Sequence, residues 1–162
     1  MNKKMEIKKA PRDNVPWNLL LLADPSREHV AAYVEKGECY LALLDGRTVG
    51  ACVLLRTAPG TIELMNIAID EACQGQGVGK QFIAEVVSIA RHKGVRTLEV
   101  GTGNSSLAQL AFYQKAGFRI IGVERDFFVK NYPEEIVENG IRCRDMIRLA
   151  MEFSAEGTGG NH

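Results

Sequence analysis

Residues 66–80 read Asn66-Ile67-Ala68-Ile69-Asp70-Glu71-Ala72-Cys73-Gln74-Gly75-Gln76-Gly77-Val78-Gly79-Lys80. The segment begins as an apolar strand, passes through glycines at alternate positions, and continues with apolar residues at helical spacing from Val78. The first N–H groups of a helix have no partner within it and lie at the positive end of its dipole, and glycine lets an anion approach the backbone. The pattern therefore predicts a phosphate or pyrophosphate site at the turn from Gln74 to Lys80.

Two other phosphate-binding motifs do not fit this turn. A P-loop requires G-x-x-x-x-G-K-[ST], but Gln74 stands five residues before Gly79, and Gln81 follows Lys80. A dinucleotide fingerprint requires G-x-G-x-x-G after the first strand of a βαβ unit, whereas the spacing here is G-x-G-x-G. The alternative that stays open is a glycine-rich turn without a ligand.

The chain before this turn predicts one strand, two helices and then three strands in an antiparallel meander. Asp24-Pro25-Ser26 is typical of a helix start and Gly37 of a helix end, and Asp45-Gly46 is a hairpin signal. The predicted strands and helices are Glu6 to Ala10, Trp17 to Leu22, about Ser26 to Lys36, Glu38 to Leu44, Thr48 to Arg56 and Thr61 to Ile69.

The chain after the turn alternates helices and strands. The predicted elements are a helix from Val78 to Lys93, a strand from Thr97 to Val100, a loop over 101–106, a helix from Leu107 to Ala116, a strand from Phe118 to Phe128, and a last strand within Ile141 to Phe153. The fold class is α/β (α+β), a mixed, mostly antiparallel central sheet flanked by helices. A chain of 162 residues suits a single domain over residues 1–153, followed by a disordered tail over 154–162.

Composition excludes several classes of function. Lys and Arg equal Asp and Glu at 20 each, so the chain lacks the surplus cations that a nucleic-acid binder needs. It has no apolar run of 18 residues and no signal-like start, which predicts a cytoplasmic protein without membrane contact. Its four cysteines form no C-x-x-C pair and no histidine stands at metal-ligand spacing, so we expect reduced thiols and no metal.

Two motifs resemble those of one enzyme family. Gln74-Gly75-Gln76-Gly77-Val78-Gly79 resembles the Q/R-x-x-G-x-G/A motif of the GNAT superfamily of acyl-CoA-dependent N-acetyltransferases. Further on, Tyr113-Gln114-Lys115-Ala116-Gly117-Phe118 is similar to the family's Y-x-x-x-G-F signature. The resemblance covers roughly Met5 to Phe153, and the order of the two motifs makes it specific.

The resemblance implies a co-substrate, acetyl-CoA, and positions for its parts. The backbone of Gln76 to Lys80 would hold the pyrophosphate, and the main chain of Ile67, Ala68 and Ile69 would pair with the pantetheine arm. Asn104 stands where family members often bond the pantetheine.

The implied reaction is direct transfer of an acetyl group to a primary amine through a tetrahedral intermediate. Tyr113 matches the family's general acid for the departing thiolate. Two glutamates, Glu63 and Glu99, match base positions in different branches of the family, and the choice between them, or a water relay, stays open. The alternative function is a non-catalytic acyl-CoA-binding regulatory module.

The acceptor is expected to be a small-molecule or peptide amine, and a homodimer is possible. Glu134, Glu135 and Glu138 lie between the last two predicted strands, in a segment that borders the acceptor in the resembling family. These glutamates are either a carboxylate rim that attracts a cationic amine or a solvated turn.

Overall fold

The computed structural model describes residues 4–153. The strands are β1 (Met5–Ala10), β2 (Glu38–Leu44), β3 (Arg47–Ala58), β4 (Thr61–Ile69), β5 (Thr97–Gly103), β6 (Arg119–Glu124), β7 (Val137–Glu138), β8 (Ile141–Arg142) and β9 (Met146–Glu152). The helices are α1 (Trp17–Ala23), α2 (Arg27–Lys36), α3 (Val78–His92), α4 (Leu107–Lys115) and α5 (Phe127–Asn131), with a one-turn 3₁₀ helix at Glu71–Cys73.

Seven strands form one sheet in the order β1-β2-β3-β4-β5-β9-β6, and β7 and β8 form a separate hairpin. All pairs in the large sheet are antiparallel except β4 with β5. The predicted mixed, mostly antiparallel sheet flanked by helices is therefore confirmed. None of the helices within residues 4–153 is long and apolar enough to cross a membrane.

Local sequence explains most of the N-terminal elements. The Ser26 hydroxyl accepts a hydrogen bond from the His29 N–H at 3.2 Å, which caps the start of α2 as the sequence indicates. Asp45 and Gly46 both have positive φ, 53° and 77°, and form the tight turn between β2 and β3.

Helices cover both faces of the sheet. On one face α3 packs Phe82 and Val86 against strand residues such as Leu64 and Leu149. On the other face α1 and α2 pack around Leu20 and Val30. Asn66 of β4 links the α1–α2 layer to the sheet, since its amide nitrogen donates to the Leu20 carbonyl at 2.9 Å and to the Tyr33 hydroxyl at 2.8 Å.

The two central parallel strands separate halfway along their length. β4 and β5 are in register only from Thr61–Thr97 to Leu64–Val100. Beyond that point β4 continues against β3, and β5 continues against β9. The separation opens a wedge at the carboxyl ends of the two strands, beside the glycine turn that follows β4.

For the C-terminal half, two predictions were wrong in detail and one element was missed. The strand predicted from Phe118 to Phe128 ends at Glu124, and its last residues begin α5, because a five-residue apolar helix has no periodicity to distinguish it from a strand. The loop predicted over 101–106 is strand β5 up to Gly103. The hairpin β7–β8 was not predicted, although Asn139-Gly140 is its turn. The predicted tail at 154–162 lies outside the described residues.

Candidate active site

The turn between β4 and α3 presents bare backbone N–H groups. Gly75 and Gly77 both have φ of 79°, a left-handed conformation that glycine adopts without strain. Gly77 precedes α3, and no side chain among the described residues caps this helix. The first bond within the helix runs from the Gln81 N–H to the Gly77 carbonyl, which leaves the N–H groups of 78–80 pointing out of the helix end. Exposed N–H groups at a helix start are suited to binding an anion.

Side chains of the turn hold it in place. Gln74 donates through its amide nitrogen to the Ile69 carbonyl at 3.0 Å, and Gln76 donates to the Ala72 carbonyl at 3.3 Å. The Asp70 carboxylate accepts from the Ala72 N–H at 3.0 Å. The glutamine that the family motif specifies therefore fastens the glycine turn to the end of β4 in this structure.

The wedge between β4 and β5 is an open cleft of about 730 Å³. One wall is β4 from Met65 to Ile69, whose edge beyond Leu64 pairs with no other strand of the described chain. The other wall is Gly101 to Gly103 of β5, and Gln74, Gly75 and Gly79 line the end near α3. An extended arm can add to the free edge of β4 as an extra strand, with its anionic end at the helix N-terminus.

The Tyr113 side chain is buried at the side of this cleft. It is 4% exposed and packs edge-on against Phe112 and Phe118, with ring centroids 5.3 and 5.7 Å apart. Burial raises the pKa of Tyr113 well above its ordinary value, and a hydrogen bond from Gln109 at 3.5 Å offsets this only in part. The hydroxyl therefore keeps its proton at neutral pH and is available as a donor.

The two predicted bases, Glu63 and Glu99, share one arginine. Arg148 of β9 reaches across the sheet and donates to the Glu63 carboxylate at 3.0 Å and to the Glu99 carboxylate at 3.0 Å. The two glutamates stand side by side in the parallel register, one residue before the strands separate. Neither glutamate lines the cleft. This arrangement favours a clamp that ties β4, β5 and β9 together at the base of the wedge.

Replacing Arg148 by Met should lower the free energy of unfolding by roughly 1–3 kcal/mol, because two partly buried carboxylates lose their partner. Thermal or urea unfolding measures the change. Arg142→Met is the matched control, since its pair with Glu135 is exposed and 3.6 Å long, and we expect a loss below about 1 kcal/mol. Equal losses in the two variants would contradict the clamp.

A role in the clamp and a role as catalytic base predict different effects of replacing Glu63 or Glu99. We expect Glu63→Gln and Glu99→Gln to lower stability and to keep the pH dependence of kcat. A base would instead lose the acidic limb of that profile without a matching loss of stability.

The Asn104 side chain bonds the backbone of a neighbouring connection. Its amide nitrogen donates to the Arg142 carbonyl at 3.1 Å, and its oxygen accepts from the N–H groups of Arg144 and Asp145 at 2.8 and 3.0 Å. The side chain thus holds the β8–β9 connection, and the residue does not line the cleft. We do not carry it forward as a pantetheine ligand.

The three glutamates of the predicted carboxylate rim do not act together. Glu135 lies 3.6 Å from Arg142, whereas Glu138 turns into the cleft and accepts hydrogen bonds from the hydroxyls of Ser105 at 3.1 Å and Ser106 at 2.7 Å. Only Glu138 of the three lines the cleft.

Sequence reasoning missed a second carboxylate in the cleft, Asp24. It follows α1 and accepts hydrogen bonds from the hydroxyls of Tyr33 at 3.1 Å and Tyr132 at 2.9 Å, and from the Ser26 N–H at 3.1 Å. The bond to Tyr132 joins segments 108 residues apart. The only signal in the sequence was a helix-start pattern, Asp24-Pro25-Ser26, which indicates a turn and not a binding residue.

Comparison with known proteins agrees with this geometry. Residues 7–118 match the family model described as Acetyltransferase (GNAT) family. A Bacillus subtilis (strain 168) protein, the uncharacterized N-acetyltransferase YvbK, is 50% identical over 137 residues, which cover 85% of this chain and 88% of that protein.

Two solved structures are also similar over nearly the whole chain. The IAA acetyltransferase from Bacillus cereus ATCC 14579 has a TM-score of 0.88 and 53% identity, covering 93% of this chain and all of that one. A GNAT family acetyltransferase from Elizabethkingia anophelis with acetyl-CoA bound has a TM-score of 0.89 and 45% identity, covering 92% of this chain and 98% of that one.

Proposed function

The chain belongs to the GNAT family of acetyltransferases, and from that premise we propose that it transfers the acetyl group of acetyl-CoA directly to the primary amine of a cationic acceptor. Membership makes it an acetyl-CoA-dependent N-acetyltransferase. One observation carries the finer proposal. The wedge between β4 and β5 has an uncapped helix N-terminus at one end and the Tyr113 side chain at its side.

The chain's own residues suit binding of the co-substrate. The N–H groups at the start of α3 would bind the pyrophosphate, and the free edge of β4 at Ile67 to Ile69 would bond the pantetheine arm. A β4 N–H at Ile67 or Ala68 would hold the thioester oxygen as negative charge develops there. Acetyl-CoA supplies the activated acyl group.

Tyr113 acts as the acid in this proposal. Its hydroxyl donates a proton or a strong hydrogen bond to the sulfur as the C–S bond breaks and the C–N bond forms. Direct transfer is supported by Cys143, the only cysteine among the described residues that line the cleft. Burial raises the pKa of this thiol, so it is a poor nucleophile at neutral pH.

The charge of the cleft favours a cationic acceptor. Its lining includes two carboxylates, Asp24 and Glu138, and no Lys, Arg or His among the described residues. Neither carboxylate is paired with a basic side chain of residues 4–153, and each is held by two hydroxyl donors. A protonated amine is attracted to such a site and then gives up a proton to a carboxylate or to water before it attacks.

A panel of primary amines tests the proposal. Purified protein is incubated with acetyl-CoA and with cationic diamines, with aromatic monoamines that are uncharged at neutral pH, or with amino acids, and the release of free thiol is followed. We expect release with the cationic members. Binding of CoA without release on the whole panel would support the regulatory module instead.

Asp24→Asn should raise KM for a cationic acceptor roughly tenfold and change kcat little. The substitution removes the charge but keeps the oxygen that accepts from Ser26 and Tyr132, and the new amide nitrogen can donate to the Tyr33 hydroxyl. Steady-state kinetics at low and high salt measure this, and the difference between the two proteins should shrink as salt screens the charge.

Glu135→Gln is the matched control, since it removes a carboxylate that lies outside the cleft lining. An equal KM increase for a neutral amine would show that Asp24 shapes the site without attracting a cation.

A further inference from the structure

The edge strand β6 exposes large apolar side chains. It is the last strand of the seven-stranded sheet, so one row of its backbone N–H and C=O groups pairs with no other strand of the described chain. Ile120, Ile121 and Val123 are 52%, 56% and 54% exposed. An edge of this kind is a template for pairing with another chain.

A β-bulge in this strand changes which side chains share a face. Ile120 stands opposite Leu149 and Gly122 opposite Arg148, so Ile121 is the extra residue. Opposed residues in an antiparallel pair lie on the same face of the sheet. Ile120 and Val123, opposite Leu149 and Ile147, therefore lie on the α3 face. The other face carries Arg119, Gly122 and Glu124, opposite Ala150, Arg148 and Met146.

We propose that two copies of this chain pair antiparallel along β6, around a two-fold axis between Ile121 and Gly122, and so join their sheets. In this register Arg119 of each copy meets Glu124 of the other on one face. On the opposite face Ile120 of each copy meets Val123 of the other. In a six-residue strand without a bulge, Arg119 and Glu124 would lie on opposite faces and could not pair in this register. The bulge puts them on the same face, so the strand Arg-Ile-Ile-Gly-Val-Glu is complementary to itself.

A second copy fits this edge better than an unrelated partner does. A two-fold contact requires a patch that complements itself, and here both the charged pair and the apolar pair satisfy that condition. The proposal does not depend on the acceptor or on the chemistry of the cleft.

Gly122 offers a substitution at the centre of the proposed pairing, where an added charge also stands opposite Arg148 of its own chain. A Cβ added to it has no heavy atom within 4 Å, and its φ is not in the left-handed region, so a single chain accommodates a larger residue. Across the two-fold axis the same side chain would meet Ile121 of the partner.

The test is sedimentation or light scattering of the full chain over a range of concentrations. We expect a monomer–dimer equilibrium for the wild type and a dimer at least roughly tenfold weaker for two variants. Arg119→Glu places like charges opposite each other, and Gly122→Glu places a charge against Ile121 of the other copy. Combining Arg119→Glu with Glu124→Arg should restore the dimer, and a purely structural role of Arg119 would not give that rescue.

Val137→Arg is the control, because it places a charge on an exposed apolar residue of the separate β7–β8 hairpin and should leave the dimer unchanged. Thermal unfolding checks that each variant is folded. A monomer at every concentration, a dimer insensitive to Gly122→Glu, or growth beyond the dimer would each overturn the proposal.

Discussion

Tyr113→Phe should lower kcat by roughly 10²–10⁴-fold, the range that general acid catalysis supplies. The substitution removes only the hydroxyl, so the ring keeps its contacts with Phe112 and Phe118. We therefore expect CoA affinity and unfolding temperature to change little. Pre-steady-state kinetics of thiol release isolate the chemical step from product release.

The raised pKa of Tyr113 adds a pH signature to this prediction. The acid form persists above the ordinary tyrosine range, so the wild-type rate should rise with pH as the amine deprotonates, with no fall near pH 10 from loss of this proton. Tyr40→Phe is the control, since the Tyr40 hydroxyl donates to Glu38 and the residue does not line the cleft. If the chemical step of Tyr113→Phe ran at a near wild-type rate, Tyr113 would be a packing residue and not the acid.

Gly77→Val should weaken CoA binding by roughly 10–100-fold. A β-branched residue at φ of 79° costs on the order of 1–3 kcal/mol, and the turn relieves that strain by leaving the conformation that presents the N–H groups. A Cβ on Gly77 has no neighbour within 4 Å, so the effect comes from the backbone conformation and from the lost approach of the anion. Calorimetric titration with CoA measures the change.

Gly94→Val is a close control for this substitution. Gly94 follows the opposite end of α3, has φ of 76°, and likewise has nothing within 4 Å of an added Cβ. Both variants should lose similar stability, and only Gly77→Val should lose CoA affinity. Unchanged affinity in a folded Gly77→Val protein would remove the basis for the pyrophosphate site.

Sequence reasoning succeeded where local patterns are strong. The meander β2–β4, helix α3 and the glycine turn between β4 and α3 all follow from periodicity and turn residues within a few positions. After residue 118 it placed β6 and β9 within the predicted strands but did not predict the three short elements α5, β7 and β8. Five residues in α5 and two in each of β7 and β8 are too few for a period of 3.6 or 2 to become visible.

The candidate site divides in the same way. The turn residues and Tyr113 could be proposed from the sequence because each belongs to a motif that spans a few positions, and the structure places Gln74, Gly75, Gly79 and Tyr113 in the lining of the cleft. The Arg148 clamp was not predicted, because Arg148 lies 85 positions from Glu63 and 49 positions from Glu99 along the chain. The prediction for Asn104 followed its position in the chain, whereas its partners are 38–41 residues away in the β8–β9 connection.

By itself the sequence determined the fold class, the order of most elements, and the glycine turn that suits a pyrophosphate, because backbone conformation and helix ends respond to neighbouring residues. Only the tertiary structure decided which carboxylates face the cleft. Asp24 and Glu138 line it, while Glu63 and Glu99 turn to Arg148. The contacts of these carboxylates depend on the sheet order and on the separation of β4 from β5. Both bring together side chains that are far apart along the chain.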